Sequence, residues 1–469
     1  MSSLLTDMNK RCAVSLVGLV ALGACGAFPK GVERAHRLMA AGDYRQAERV
    51  AETELARHPK HPVLWRIKIQ APIELGDSAR AVKRYRQWHE LRKHYDNKAM
   101  RAMAIATLDR ALHSADARLR RAAVGAVAAM SVGRLRRSVV RLLSDRDDTV
   151  AATAALALLP RDKRAAPAAR RLLESTNARA RALAVTAVAG KLEHLDVGLT
   201  ALADASPQVR RAAASALARF GARAHQPLVR LATSDHVGSV RATAFSALAR
   251  AKVPDSAKLA GVALRDKYVG SRLAAIALLS KAGKAGRSQL LALTKTADAF
   301  VAIRAAVALR YLGGERRPDA VERALNSSDW TVRSAALNAL AEVSEPADAV
   351  RLAKRALTDP RAEVRLTAAR SLARSGMPGE AMAVFQTALG SARESIRLRA
   401  AAELLRLDEG SGRRALAKLL HSKNVATRIA AVHVYARAEN ATLTLVDALA
   451  DKAAGVRLAA AESLMRLLR

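Results

Sequence analysis

The residues with the sharpest potential chemistry in this 469-residue chain are its two thiols, Cys12 and Cys25. Both fall before residue 26, so no disulfide can brace the rest of the chain and stability must come from packing. The eleven histidines are scattered. His58 and His61 stand beside Pro59 and Pro62 and read as turn polarity. His89 and His94 lack the i, i+4 spacing that puts two imidazoles on one helix face for a metal ion. There is no Gly-rich phosphate loop and no nucleophile elbow. These residues therefore give no basis for catalysis, a metal site or a cofactor, and an enzyme is not expected.

Cys25 carries a different signal. Lys10 and Arg11 precede an uncharged run, residues 12–24, which is too short for a membrane span of about 20 residues and suits a signal-peptide core. Leu22, Gly23, Ala24 and Cys25 together resemble the bacterial lipobox, in which a Leu and two small residues lead to the cysteine that receives lipid. Cys12 cannot serve, because Lys10 and Arg11 stand where the apolar run should be. The resemblance implies a signal peptide over 1–24, a lipidated linker over 25–32 and a mature chain beginning at Cys25. Gly26, where Asp would retain, implies the outer membrane facing the periplasm over the inner membrane. Multiple acyl chains on one cysteine would hold the body firmly.

Two kinds of helical element follow. Gly42-Asp43-Tyr44 with Ala47 recurs as Gly76-Asp77-Ser78 with Ala81, an offset of 34 residues. Residues 33–96 resemble tetratricopeptide repeats, which implies antiparallel helix pairs with Gly-Asp at the turn and a small Ala at the crossing. Pro72 departs from that pattern and should kink its helix.

From residue 97 to 469 a longer series takes over. Arg120, Arg181, Arg210, Arg241, Arg272, Arg304, Arg333, Arg365, Arg397, Arg428 and Arg457, with Ala151 in the one exceptional slot, are spaced 29 to 32 residues apart. Six residues before every slot stands a Ser or an Asp, and three residues after it an Ala, Val307 excepted. Each unit thus ends a first helix, turns at the Ser or Asp, and starts a second helix around the Arg. The turn residue can accept N–H groups left free by the new helix, and the small residue lets two helices approach closely.

This pattern resembles the short HEAT repeat named after phycobilisome lyases. The resemblance implies an all-α fold, a right-handed α-solenoid of about twelve helix pairs preceded by the tetratricopeptide-like hairpins. It also implies that the turn Asp and helix Arg form a structural ladder between repeats. The chain stops inside an apolar helix, so that end is expected on a partner or a second copy.

Composition agrees with closely packed short helices: apolar residues make up 51 % and aromatics only 3 %. The formal net charge is +37, and processing at Cys25 would remove only Lys10, Arg11 and Asp7. Nine residues after the Arg slots lie Arg219, Arg250, Lys281, Arg374, Arg406, Arg437 and Arg466, a candidate basic binding edge at helix C-termini, where cations also offset the dipole. The combined expectation is a non-catalytic, lipid-anchored envelope scaffold that binds acidic protein partners. Its rivals are a cytoplasmic nucleic-acid binder, disfavoured by the scarcity of aromatics for stacking on bases, and an accessory protein of the bilin-lyase type.

Overall fold

The computed structural model describes residues 30–189, 194–253 and 255–469. Leu22, Gly23, Ala24 and Cys25 lie outside the described residues. Among the described residues every regular element is an α-helix or a short 3-10 turn, and there is no strand. None of the described helices is long and apolar enough to cross a membrane. The chain divides into two compact units.

The first unit joins the described residues up to His113 with Asn440–Arg469. Its N-terminal part is a run of antiparallel helices: α1 (Lys30–Ala41), α2 (Tyr44–Arg57), α3 (Pro62–Glu74), α4 (Ser78–Arg92) and α5 (Asn97–Leu112). The repeated Gly-Asp pair has a double task. Gly42 and Gly76 take φ of +81° and +88°, the left-handed region that a Cβ disfavours. Their N–H groups and those of Asp43 and Asp77 close the preceding helices by bonding Met39, Leu38, Ile73 and Pro72 carbonyls. The Asp side chains then cap the next helices through the Gln46 and Arg80 N–H groups, at 3.2 and 2.9 Å. Ala47 and Ala81 are buried at the crossings. Pro72, expected to kink its helix, sits in the last turn of α3, and its carbonyl takes part in the closing turn.

The same unit contains the last helix, Ala454–Leu467, which packs against α5. Val456 and Leu464 are buried there, Arg101 donates to the Leu468 carbonyl, and Arg86 pairs with Asp447 through Nε at 2.7 Å. The apolar flank expected on a partner or a second copy is thus covered from within the chain. Met100, Met103, Ala104 and Leu108 of α5 are likewise buried.

The second unit, Ser114–Glu439, is a stack of helix pairs. Successive second helices, from Ala117–Met130 to Val425–Tyr435, pack directly on one another, whereas the backbones of successive first helices stand further apart. The second helices therefore form the tight row. The Ala three residues beyond each Arg slot explains how they come so close: Ala123, Ala154, Ala184, Ala213, Ala244, Ala275, Ala336, Ala368, Ala400 and Ala431, with Ala460 in the first unit, are all 0 % exposed. Larger side chains at these positions would force the helices apart. The core forms successive clusters, one around Leu217, Phe245, Leu248, Leu278 and Leu279 and another around Leu337, Leu340, Leu372 and Phe385.

The turn residue works differently from the expectation that it accepts N–H groups of the new helix. In eleven of the twelve units the Ser or Asp side chain accepts the N–H two residues on, which belongs to the residue preceding the second helix. The helix itself is capped by that later residue where it is polar, as with Asp116, Asp147, Asn177, Ser206, Asp329 and Asn424. Asp298 is the exception, capping its helix directly through the Val301 N–H at 3.2 Å. One side chain thus bends the backbone and another starts the helix, since a two-residue reach suits the turn better than the helix end.

Candidate interaction surface

Six of the turn Asp residues also have a second task, and the Arg slots show it. Arg120 donates through Nε and Nη2 to Asp145 of the following unit, at 2.8 and 2.7 Å, while its Nη1 donates to the Ser114 and Ala115 carbonyls of its own turn. The same fork joins Arg181 to Asp204, Arg210 to Asp235, Arg241 to Asp266 and Arg333 to Asp359, with every N–O distance between 2.7 and 3.0 Å. Arg272 reaches Asp298 through Nε alone, at 2.7 Å. A planar guanidinium thus ties three groups, two carbonyls before it and one carboxylate after it, and locks the register of neighbouring repeats.

The electrostatics follow from that geometry. The Arg241 hydrogen bond overcomes burial and holds the Asp266 carboxyl down to about 2. Asp204 is lowered by Arg181 in the same way. At Asp235 burial pushes upward, but Arg210 and the Val237 N–H together hold the carboxyl below its ordinary value. The partner guanidiniums are stabilised in their charged form by the same contacts.

The ladder stops where the turn residue is Ser. Ala151 precedes Ser175, so neither half of a rung is present, and Ser175 Oγ donates instead to Asp148 at 2.5 Å. At that gap Asp162 receives Arg136 and Arg164 at 3.1 and 2.8 Å, a tie between adjoining loops that the repeat pattern did not reveal because neither residue recurs. Arg304, Arg365 and Arg397 precede Ser327, Ser391 and Ser422. Arg304 is exposed, Arg397 turns to Glu394 at 3.3 Å, and Arg365 keeps only the carbonyls of Asp359 and Pro360. Arg428 and Arg457 hold the carbonyls of Ser422 and Asp451 at 2.7 and 2.8 Å, the same contact with the preceding turn that the ladder arginines make. Around this weaker stretch Arg393 grips Glu363 at 2.7 and 3.2 Å and Lys354 reaches Glu380 at 2.6 Å, so variable surface pairs replace periodic ones.

The edge residues occupy a different place from the ladder. Arg219, Arg250, Lys281, Arg374, Arg406 and Arg437 are exposed at or just beyond the C-terminal ends of second helices in the second unit. Arg466 is exposed in the first unit. Arg406 and Arg466 pair with Glu403 and Glu462 on their own helices. The strip is interrupted where Gly313 and Glu342 take the corresponding positions. The periodic Arg side chains with Asp partners are thus turned into the structure and neutralised, while the edge cations face solvent.

His89 stacks on Tyr95 with ring centroids 5.0 Å apart, and His61 precedes α3. His225 Nε2 lies 3.0 Å from Asp255, a pair joining two first helices that sequence spacing could not reveal. The described residues contain no group of three or more His, Cys, Asp or Glu side chains placed to hold a metal.

Three stretches, 195–280, 287–373 and 317–406, match the family described as HEAT repeats. These segments are HEAT repeats. No curated protein matches the chain. Among solved structures, the CpcE–CpcF complex of phycocyanin lyase from Nostoc sp. PCC7120 is 18 % identical, covering 47 % of this chain and 92 % of that one with a TM-score of 0.29. Human deoxyhypusine hydroxylase in complex with glycerol is 18 % identical, covering 53 % and 99 %, with a TM-score of 0.23. A mutant of Kap121p is 15 % identical, covering 79 % of this chain and 48 % of that one, with a TM-score of 0.36. The chain therefore spans about half the length of Kap121p.

Proposed function

We propose that the protein is a non-catalytic scaffold of the bacterial cell envelope, anchored by lipid at Cys25, whose HEAT repeats bind an acidic protein partner. The observation that supports this reading best is the separation of its cations into two sets. Ladder arginines with an Asp partner are spent on stacking, whereas Arg219, Arg250, Lys281, Arg374, Arg406 and Arg437 recur on exposed helix ends where an acidic surface could meet several at once. Such a strip steers association and favours complementary partners over others.

The location rests on the lipobox and its preceding charged and apolar segments. Fractionation of cells carrying wild type or Cys25→Ala tests it. The expected result is membrane-associated, lipid-modified wild type facing the periplasm and release or mislocalisation of the variant. Unlipidated wild type in the cytoplasm would overturn the reading and favour the nucleic-acid alternative. For the partner, in-cell crosslinking from the Arg250 and Arg406 positions is expected to capture one acidic protein. That capture should weaken when Arg250, Lys281, Arg374 and Arg406 are changed together to Glu.

A further inference from the structure

We infer that the incomplete rung at Arg365 is a binding site for a small carboxylate with a branched apolar body. This goes beyond the scaffold reading and does not depend on it. In the complete rungs, Nη1 of the arginine is clamped by two carbonyls, or by one at Arg241, and the Nε–Nη2 fork receives the next turn's Asp. Arg365 retains the clamp, with Nη1 donating to the Asp359 and Pro360 carbonyls at 2.6 and 3.1 Å. Its fork is therefore presented as in the other rungs.

The residue it faces is Ser391, whose Oγ is already engaged by the Arg393 N–H at 3.2 Å and which supplies no carboxylate. Arg365 and Ser391 instead line a cavity of about 460 Å³, together with Thr387 and the apolar side chains of Leu366, Val384 and Ile396. A fixed guanidinium fork at one wall and branched aliphatic groups around it fit a bidentate carboxylate carrying an aliphatic stem. The other rungs that precede a serine differ. Arg397 has Glu394 beside it, and Arg304 is exposed without the carbonyl clamp.

The native ladder also supplies the test, because Ser391→Asp would complete the rung with an internal carboxylate and compete with any ligand at the fork. Sodium 4-methylpentanoate and its uncharged amide serve as probes, measured by equilibrium dialysis against the full chain. The acid is expected to bind wild type saturably, with the amide and the Ser391→Asp variant each weaker by about tenfold or more. Arg365→Lys, which keeps the charge without the fork, should also weaken binding, with its thermal transition confirming that it is folded. Equal binding of the acid to wild type and Ser391→Asp, equal binding of acid and amide, or no saturable binding to wild type would each overturn the assignment.

Discussion

Replacing Asp235 with Ser isolates what one ladder rung contributes. The substitution is already present at five turns of this protein, where Ser accepts the same N–H that Asp235 accepts from Val237 at 2.9 Å. The turn is thus preserved, and the loss falls on Arg210. The side chains of Arg210 and Asp235 are only 7 % and 5 % exposed, so the variant leaves a nearly dry guanidinium fork without its carboxylate. Removing one partner of a buried pair costs about 3–5 kcal/mol, against about 0–1 kcal/mol for an exposed one. Arg210 retains its two carbonyl contacts, at 2.9 and 3.0 Å, which places the expectation near 3 kcal/mol. Asp204→Ser is the matched control: the Arg181–Asp204 side chains are 19 % and 17 % exposed, water can reach the orphaned fork, and the cost should be clearly smaller. Repeat arrays need not unfold in one step, so the measurement is native-state hydrogen exchange of the helices Pro207–Leu217 and Gly238–Ala251. A double-mutant cycle with Arg210→Gln then separates the pair energy from other effects. A cost below about 1 kcal/mol at Asp235, or an equal cost at Asp204, would refute the argument that burial of the fork governs the rung.

Acid should loosen the ladder. Asp266 is held down to about 2 from an ordinary 3.8, so its contribution is fully present above the unfolded value and is lost as pH falls from about 4 towards 2. Hydrogen exchange around Arg241 as a function of pH should show this loss, and Asp266→Ser should flatten it. Ser391→Asp, besides closing the proposed site, should raise local stability by about 1 kcal/mol or more, read as slower exchange in the helices Ala362–Arg374 and Glu394–Leu407. Ser327→Asp should give little, because Arg304 is exposed and lacks the clamp. In the first unit, Leu464→Ala should cost about 2–5 kcal/mol and reduce amide protection in α5, whereas Leu467→Ala, at 44 % exposure, should cost under about 0.5 kcal/mol. Equal effects at the two leucines would count against the packing of the last helix on α5.

The repeat pattern was legible because stacking imposes the same local demands again and again. An Arg that must span two turns, an Ala that must let two helices touch and a Ser or Asp that must bend the chain each recur at about thirty residues, and periodicity exposes them without any coordinates. The Gly-Asp pairs of the N-terminal hairpins were legible for the same reason, since only a residue free of a Cβ readily takes the left-handed turn and only a short acceptor reaches the next helix's N–H. What escaped were contacts that do not repeat: Asp162 between Arg136 and Arg164, His225 beside Asp255, and Glu363 under Arg393. Arg136, Asp255 and Arg393 reach across to a neighbouring unit, 26 or 30 residues away, but the same residue types do not recur at those positions in other units, so periodicity could not single them out.

By itself, then, the sequence determined the all-helical class, the order and period of the helix pairs, and which side chains recur at each crossing, because those are consequences of nearest-neighbour chemistry. Tertiary structure alone decided which arginines are neutralised, that Asp and Ser share the turn while only Asp completes a rung, and that the last helix is covered by α5. Those outcomes depend on the directions in which side chains from different units meet. The +37 total treats every cation alike, whereas the fold separates cations buried against a carboxylate from cations presented to solvent. Only the latter can recruit a partner at little desolvation cost.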